Sequence, residues 1–447
     1  MNGRLHTTTH YRTLDAAHHL HPFSDMGALK CAGSRVIVKV DGVYLWDSDG
    51  RRIIDGMAGL WCVNVGYGRR ELADAAYAQL QALSYYNTFF KTTHPPVIEL
   101  SALLAEIAHP FKRFLYCNSG SEANDTALRA VHRYWTLKNQ PAKRYVIARK
   151  NAYHGSTIAG ATLGGMRYMH EQMPSKVEHI AHIDQPDWFG EGEGLTPEAF
   201  GLERARQLEA KIIELGAENV AAFIGEPFQG AGGVIFPPST YWPEIQRICR
   251  RYDVLLIADE VIGGFGRTGE WFAHRHFGFE PDVITMAKDL TSGYVPMGAV
   301  GLSDRIADAI VDGGEFNHGF TYSGHPVAAA VAVANLNVLR DEGIVERVKN
   351  DSGPYFQAFL RETLSDHPIV GEVAGAGLVA GIQLSPEHTM RDDIGTLCRD
   401  FSFDSGLAMR ASGDRMLLSP PLVVTHAEID EIVSKARNAI DATARAI

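Results

Sequence analysis

Two runs decide the reading of this chain: Val254-Leu255-Leu256-Ile257-Ala258-Asp259 and Val283-Ile284-Thr285-Met286-Ala287-Lys288. Each is an almost unbroken apolar stretch of strand length, and each ends on a charge. Apolar runs without alternation mark strands buried on both faces, as in parallel sheets covered by helices. Similar runs surround them, and Phe114 to Cys117, Tyr145 to Ala148, Val220 to Gly225 and Met297 to Gly301 are further candidate strands. Helical stretches lie between. In one of these Thr196 is placed to cap, Pro197 suits the first turn and Gly216 the stop, while Leu202, Ala205, Leu208, Ile212 and Leu215 make one apolar face. Strands alternating with such helices predict an α/β fold with a mostly parallel sheet sandwiched by helices.

Working outward, 447 residues suit a large domain plus a smaller one. Residues 66–330 are expected to form the large one. Residues 1–65 hold a β meander, in which Val43-Tyr44-Leu45-Trp46 and Arg51-Arg52-Ile53-Ile54 flank the turn Ser48-Asp49-Gly50. A helix rich in small residues, Val327 to Leu339, leads out of the large domain, and residues 331–447 form a second unit. Its last helix opens on a capping box, Thr425 to Glu428, with Ile429, Ile432, Val433, Ala436 and Ile440 on one side. The run Gly190-Glu191-Gly192-Glu193-Gly194 reads as a loop.

With 45% hydrophobic and 21% charged residues the composition is that of a globular protein. A formal charge of −11 argues against nucleic acid as a partner. No apolar run reaches the length of a membrane span. The polar start, Met1 to His10, lacks the apolar stretch of a secretory signal, so cytoplasm is expected. Cys31, Cys62, Cys117, Cys249 and Cys398 lie far apart, which speaks against a disulfide framework or a zinc site, and no metal is expected.

The charges at the strand ends carry the chemistry. Open α/β sheets bind ligands at the carboxyl ends of their strands, where Asp259 and Lys288 fall. A lysine becomes nucleophilic there if burial or a cationic neighbour frees its amine to attack a carbonyl; taken alone, Lys288 reads sooner as the point where a strand surfaces. A carboxylate at Asp259 keeps a pyridine nitrogen protonated and makes the ring an electron sink; alone, it equally caps the next loop. Asn118-Ser119-Gly120-Ser121-Glu122-Ala123-Asn124-Asp125 follows Phe114 to Cys117 and leads into Leu128, Val131 and Trp135 at helical spacing. Glycine lets an anion approach the backbone, and a helix start offers free N–H groups to phosphate, although a plain capped turn uses the same residues. The run from Gly263 to Gly269 does not open a helix after a strand, which sets a nicotinamide site aside. Together, a phosphate cup, a ring-nitrogen carboxylate and a Schiff-base lysine are the contacts that pyridoxal phosphate requires.

On these residues the chain resembles the class III (ω-amino acid) aminotransferases, pyridoxal-phosphate enzymes of fold type I, over nearly its whole length. The most specific block runs from Val254-Leu255-Leu256-Ile257-Ala258-Asp259-Glu260-Val261 through Phe265-Gly266-Arg267-Thr268-Gly269, with Lys288 at the family's spacing. Ser119 to Ala123, Tyr153 to Ser156, Gly225 to Gly230 and His318 to Gly324 are further matching blocks. The resemblance implies that Lys288 holds the cofactor as a Schiff base and shuttles the proton. It implies that Asp259 pairs with the pyridinium, that Val261 packs beneath the ring and Tyr153 stacks on its other face. Gly120 and Ser121 are then the phosphate holders, helped by Thr321 from a neighbouring copy, and Glu226 lies near the cofactor's hydroxyl. A smaller α+β domain made by the N- and C-terminal segments is implied too, with a homodimer, or a tetramer built from it.

Within the class the chain looks most like the pyruvate-dependent ω-transaminases, putrescine- and aromatic-amine-using kinds included. Trp61, Phe89 and Phe90 match positions that line the substrate pocket there, and Phe23 reaches it from the N-terminal segment. Arg410 matches a mobile arginine that binds substrate carboxylate and swings out for amines; without the resemblance it reads as a surface charge. The implied reaction is ping-pong transfer from an amine donor to an oxo acid such as pyruvate. Decarboxylation or racemisation on the same scaffold, or cofactor binding with little turnover, are the alternatives. One position departs from the pattern: Asp289 follows Lys288 where most relatives carry glycine. An anion there favours the charged lysine, which bears on rate more than on reaction.

Overall fold

The computed structural model describes residues 7–192, 194–386, 391 and 393–447. Two short helices, Thr8–His18 and Met26–Ala32, precede the meander and add to what the sequence predicted there. Each is capped by a side chain: Thr7 accepts from the His10 N–H, and Asp25 from those of Gly27 and Ala28. Strands β1 (Ile37–Asp41), β2 (Tyr44–Asp47) and β3 (Arg52–Asp55) then pair antiparallel. Asp47 closes the β2–β3 turn by accepting the N–H groups of Asp49 and Arg51 at 3.0 and 2.9 Å. Gly50, at φ +84°, supplies the left-handed residue that this turn requires.

The central sheet contains β4 (Arg113–Cys117), β5 (Tyr145–Arg149), β6 (Ile180–Ile183), β7 (Val220–Gly225), β8 (Leu255–Asp259), β9 (Val283–Met286) and β10 (Gly298–Leu302). Their order is β4-β10-β9-β8-β7-β5-β6. Only β10 runs against its neighbours β4 and β9; the remaining pairs are parallel. Every residue of β7, β8, β9 and β10 is buried, which is why these strands read as continuous apolar runs. Each expected strand lies within a residue of its expected ends, and β6 is an addition.

The helix Pro197–Leu215 starts on the Thr196 cap and stops at Gly216, turning Ala205, Leu208 and Ile212 inward. The glycine-rich run that follows Phe189 is not all loop. Gly190 and Glu191 belong to a helical turn, Trp188–Glu191, because the Asp187 side chain caps it at the Gly190 N–H; Glu193 lies outside the described residues.

After the helix Pro326–Asp341 come β11 (Val370–Ala376), β12 (Val379–Leu384), β13 (Leu407–Ala408), β14 (Arg410–Ser412) and β15 (Arg415–Leu418). Four of them form the sheet β11-β12-β15-β14, whereas β13 pairs with β3 and ties residues 407–408 to the N-terminal meander. The last helix, His426–Ala446, has both halves of its capping box: Thr425 Oγ1 accepts the Glu428 N–H at 3.3 Å, and Glu428 Oε2 accepts the Thr425 N–H at 2.8 Å. Among the described residues no helix is long and apolar enough to cross a membrane.

Candidate active site

The ends of β4, β5, β7, β8 and β9 deliver their following residues to one cavity. Gly120, Ser121, Tyr153, Glu226, Asp259, Val261 and Lys288 all line it, joined by Asn124, His154, Gly155 and Ile262. Residues scattered over some 170 positions thus meet because parallel strands all point their carboxyl ends the same way.

At one end lies the start of the helix Gly120–Leu137. Ser119 caps it by accepting the Glu122 N–H at 3.1 Å, and Glu122 Oε2 reaches back to the N–H and side-chain amide of Asn118 at 2.7 and 2.8 Å. The first N–H groups of such a helix have no partner in the helix itself and suit an anion. Two glycines keep the cup open. A Cβ on Gly120 would lie 2.9 Å from Val261 Cγ1, and one on Gly155, at φ +127°, would lie 2.5 Å from Ser121 Oγ. Ser121 Oγ also accepts the Ser156 N–H at 3.0 Å.

At the other end Asp259 is buried at 4% exposure. Its Oδ2 accepts from Asn124 Nδ2 at 2.8 Å and His154 Nδ1 at 2.7 Å, and its Oδ1 accepts the Val261 N–H at 3.1 Å. Burial pushes the carboxyl pKa up, but His154, Asn124 and the Val261 amide outweigh it and hold the group below the usual carboxylate range. Asp259 is therefore an anion at neutral pH. Asn124 and His154 were not among the residues singled out from sequence. Asn124 lies four residues after Gly120, on the same helix face, and His154 stands inside the Tyr153–Ser156 block, so both had a signal.

Between the two ends stands Lys288. Its φ of +38° is in the left-handed region that side chains rarely adopt, a strain found where surroundings fix a functional group. Burial pulls its ammonium pKa down, against the pull of Asp289, Cys62 and Asp259 in the other direction. The free amine is favoured accordingly. Glu226 is held by two backbone donors, Tyr153 N–H to Oε1 at 3.1 Å and Gly230 N–H to Oε2 at 2.9 Å. Burial pushes its carboxyl up.

The residues expected at the substrate pocket divide. Phe23 packs edge-on against Tyr153 with ring centroids 6.2 Å apart. Arg410 lies near Tyr168 and Tyr153, partly buried, and burial lowers its pKa; no carboxylate among the described residues pairs with it. Trp61 does not line the cavity of this chain. At 1% exposure it packs in the apolar cluster with Met57, Phe228, Val379 and Ile262, the last of which does line it. Phe89, Phe90 and Thr321 lie elsewhere, on an accessible face. Phe89 and Phe90 rings are 5.8 Å apart, Phe90 is 92% exposed, and the Thr321 carbonyl accepts from Tyr85 Oη at 2.7 Å. Phe89 borders a separate cleft with Phe316, His318 and Gly319.

An acidic cofactor tail suits the Gly120–Ser121 cup, a basic ring nitrogen suits the Asp259 anion, and a carbonyl between them suits the Lys288 amine. Pyridoxal phosphate has those three features in that order, and the sheet is that of the fold-type-I pyridoxal-phosphate enzymes. The aminotransferase class-III family matches residues 30–440. The chain is 53% identical to the putrescine–pyruvate aminotransferase of Pseudomonas aeruginosa, covering 98% of both proteins. The crystal structure of an (S)-enantioselective ω-transaminase from Thermomicrobium roseum superposes with a TM-score of 0.94 at 40% identity, covering 98% of this chain and 100% of that one. The ω-transaminase of Pseudomonas jessenii in complex with PMP gives 0.93 at 38% identity, covering 97% of this chain and 98% of that one. The chain belongs to the class III aminotransferases, and its cofactor is pyridoxal phosphate.

Proposed function

We propose that the chain is an ω-transaminase that takes the amino group of a primary amine and passes it to pyruvate in two half-reactions, with Lys288 as the cofactor's lysine. The observation that carries this reading is the desolvated Lys288 amine sharing one cavity with the anionic Asp259. When bound, pyridoxal phosphate supplies the carbonyl that receives the amino group and a ring that takes up an electron pair. Gly120 and Ser121 N–H groups hold the phosphate, and Asp259 keeps the ring nitrogen protonated. His154 and Asn124 keep Asp259 ionised. Val261 and Tyr153 enclose the ring, and Glu226 fixes the Tyr153 backbone. Lys288 Nζ, released from the cofactor, would be the base that takes up and gives back the proton of the transfer.

The pyruvate assignment rests on the Pseudomonas aeruginosa relative and on Arg410. A planar guanidinium without a carboxylate partner suits an oxo acid and has no use for a diamine. Phe23 and Tyr153 line the donor side. Putrescine, β-alanine, taurine and 1-phenylethylamine, each offered with pyruvate, test the reading. At least one donor should yield alanine and carbonyl product in equal amounts; alanine from none of them contradicts it. Arg410→Ala is expected to raise KM for pyruvate about 10–100-fold, the loss of a charge-assisted hydrogen bond, while the half-reaction with a diamine keeps its rate. Single-turnover kinetics of each half separate the two.

The same reading assigns residues 66–330 to a cofactor domain and residues 1–65 and 331–447 to a small one, in keeping with the β3–β13 pairing. It also makes the molecule a homodimer. The accessible face with Phe89, Phe90 and Thr321 carries the exposed Phe90 ring and lies off this chain's own cavity, as expected of residues that complete the site of a second copy.

A further inference from the structure

Outside the cofactor cavity, the N-terminal segment brings three metal-binding side chains to one point. Asp15 stands on the helix Thr8–His18, His19 is the residue that ends it one turn later, and His21 follows in the loop. Their ligand atoms, one carboxylate oxygen and two imidazole nitrogens, all lie within 4.8 Å of one another. His19 Nδ1 is 3.2 Å from Asp15 Oδ1, and His21 Nε2 is 2.9 Å from each of the two carboxylate oxygens. The imidazole rings face each other at 4.3 Å between centroids with a tilt of 40°. Backbone contacts hold this spacing. The His19 N–H donates to the Asp15 carbonyl at 3.0 Å, and the His21 N–H to Met26 Sδ at 3.4 Å.

Two features set the cluster apart from a surface ion pair. Among the described residues no lysine or arginine pairs with Asp15, so its charge meets only imidazoles, which are metal ligands when neutral. Arg12 borders the same cleft but gives its Nε to the Ser34 carbonyl at 3.0 Å. The second feature is the spacing. Zinc binds imidazole nitrogen and carboxylate oxygen at about 2.0–2.2 Å, which places tetrahedral ligand atoms about 3.3 Å apart. The two nitrogen–oxygen separations here are already near that value. The side chains of Asp15 and His21 are 21% and 24% exposed and that of His19 60%, so water can reach a fourth position. Two nitrogen donors favour zinc and its transition-metal neighbours over calcium and magnesium, which take oxygen.

We propose that Asp15, His19 and His21 bind a divalent ion of the zinc class, with water as the fourth ligand. None of the three lines the cofactor cavity, so the ion takes no part in the transfer itself. It ties the first helix to the loop that carries Phe23. Phe23 lies two residues beyond His21 and packs against Tyr153, which does line the cavity. A bound ion therefore steadies one edge of the substrate entrance.

The test is a calorimetric titration of the cofactor-loaded enzyme with zinc chloride in a buffer that does not chelate. The expected result is one site per chain that weakens at least about tenfold in His19→Ala, His21→Ala and Asp15→Asn, since losing even an outer partner of a metal ligand costs that much. His18→Ala removes an exposed neighbouring histidine outside the cluster and should leave the site intact. Cobalt(II) chloride in place of zinc should give the visible bands of a four-coordinate ion, lost in the same three variants. His19→Ala removes the most exposed of the three side chains, so it keeps the test decisive where Asp15→Asn disturbs folding. No zinc binding by the unchanged protein overturns the proposal. Equal binding in all the variants, or a loss as large in His18→Ala as in His19→Ala, overturns it too.

Discussion

Replacing Lys288 with alanine is expected to lower steady turnover at least about 10³-fold, the scale of losing a positioned acid–base group together with the covalent route. The amine stands at the carboxyl end of a strand whose four residues are all buried, and its backbone is held at φ +38° by what surrounds it. Among the described residues no other lysine lines that cavity. Water admitted to the vacated space cannot substitute, because it lacks the basicity that a desolvated amine has. The phosphate cup is formed by the helix start at Gly120 and is untouched by the change, so the variant should still bind the cofactor non-covalently. The pairing of lost turnover with retained cofactor, followed by absorbance and assay of the same sample, distinguishes a missing base from a misfolded chain. Turnover within tenfold of the unchanged protein contradicts the assignment.

The second large effect is expected at Asp259. Asp259→Asn preserves shape and removes the charge, and should cost about 10²–10³-fold in kcat, as the loss of a preorganised electrostatic group does. The reason lies in its neighbours. His154 Nδ1 and Asn124 Nδ2 both donate to Asp259 Oδ2; an amide accepts from them less well and carries no charge to keep a ring nitrogen protonated. The substitution should therefore lower kcat more than it raises KM. It also has a stability signature. Because the folded-state pKa of Asp259 is depressed, its contribution is present above the ordinary carboxylate range and is lost as pH falls through the folded value. Melting temperatures of the two proteins should differ at neutral pH and converge in acid. A difference that widens in acid contradicts this account of the anion.

Much of this site was legible in the sequence because burial on both faces leaves a plain trace. β7, β8 and β9 are continuous apolar runs, so their last residues could be located to within one position, and with them Asp259 and Lys288. The turn after β4 announced itself through a capping residue and a glycine. What was not legible depends on contacts far apart in sequence. β6 is a short edge strand with His182 in its middle, and its pairing with β5 leaves no pattern in the residues themselves. Asn124 and His154 each looked like ordinary polar residues near a turn; their role exists only because the fold brings them to Asp259 from 135 and 105 positions away. Trp61 matched a pocket position by resemblance, yet in this chain its indole is buried in the apolar cluster that includes Ile262. Phe89, Phe90 and Thr321 fall on an accessible face off this chain's own cavity, a placement that their local pattern does not encode. Asp289 was visible as a departure from the family, but not as a carboxyl group without donors until its surroundings were in place.

The most direct test of the central assignment is to reduce the cofactor-loaded enzyme with borohydride, digest it and locate the modified peptide by mass spectrometry. The predicted result is a pyridoxyl-phosphate group on the peptide that contains Lys288 and on no other. The same group on another lysine, or full reduction without any covalent label, would contradict it.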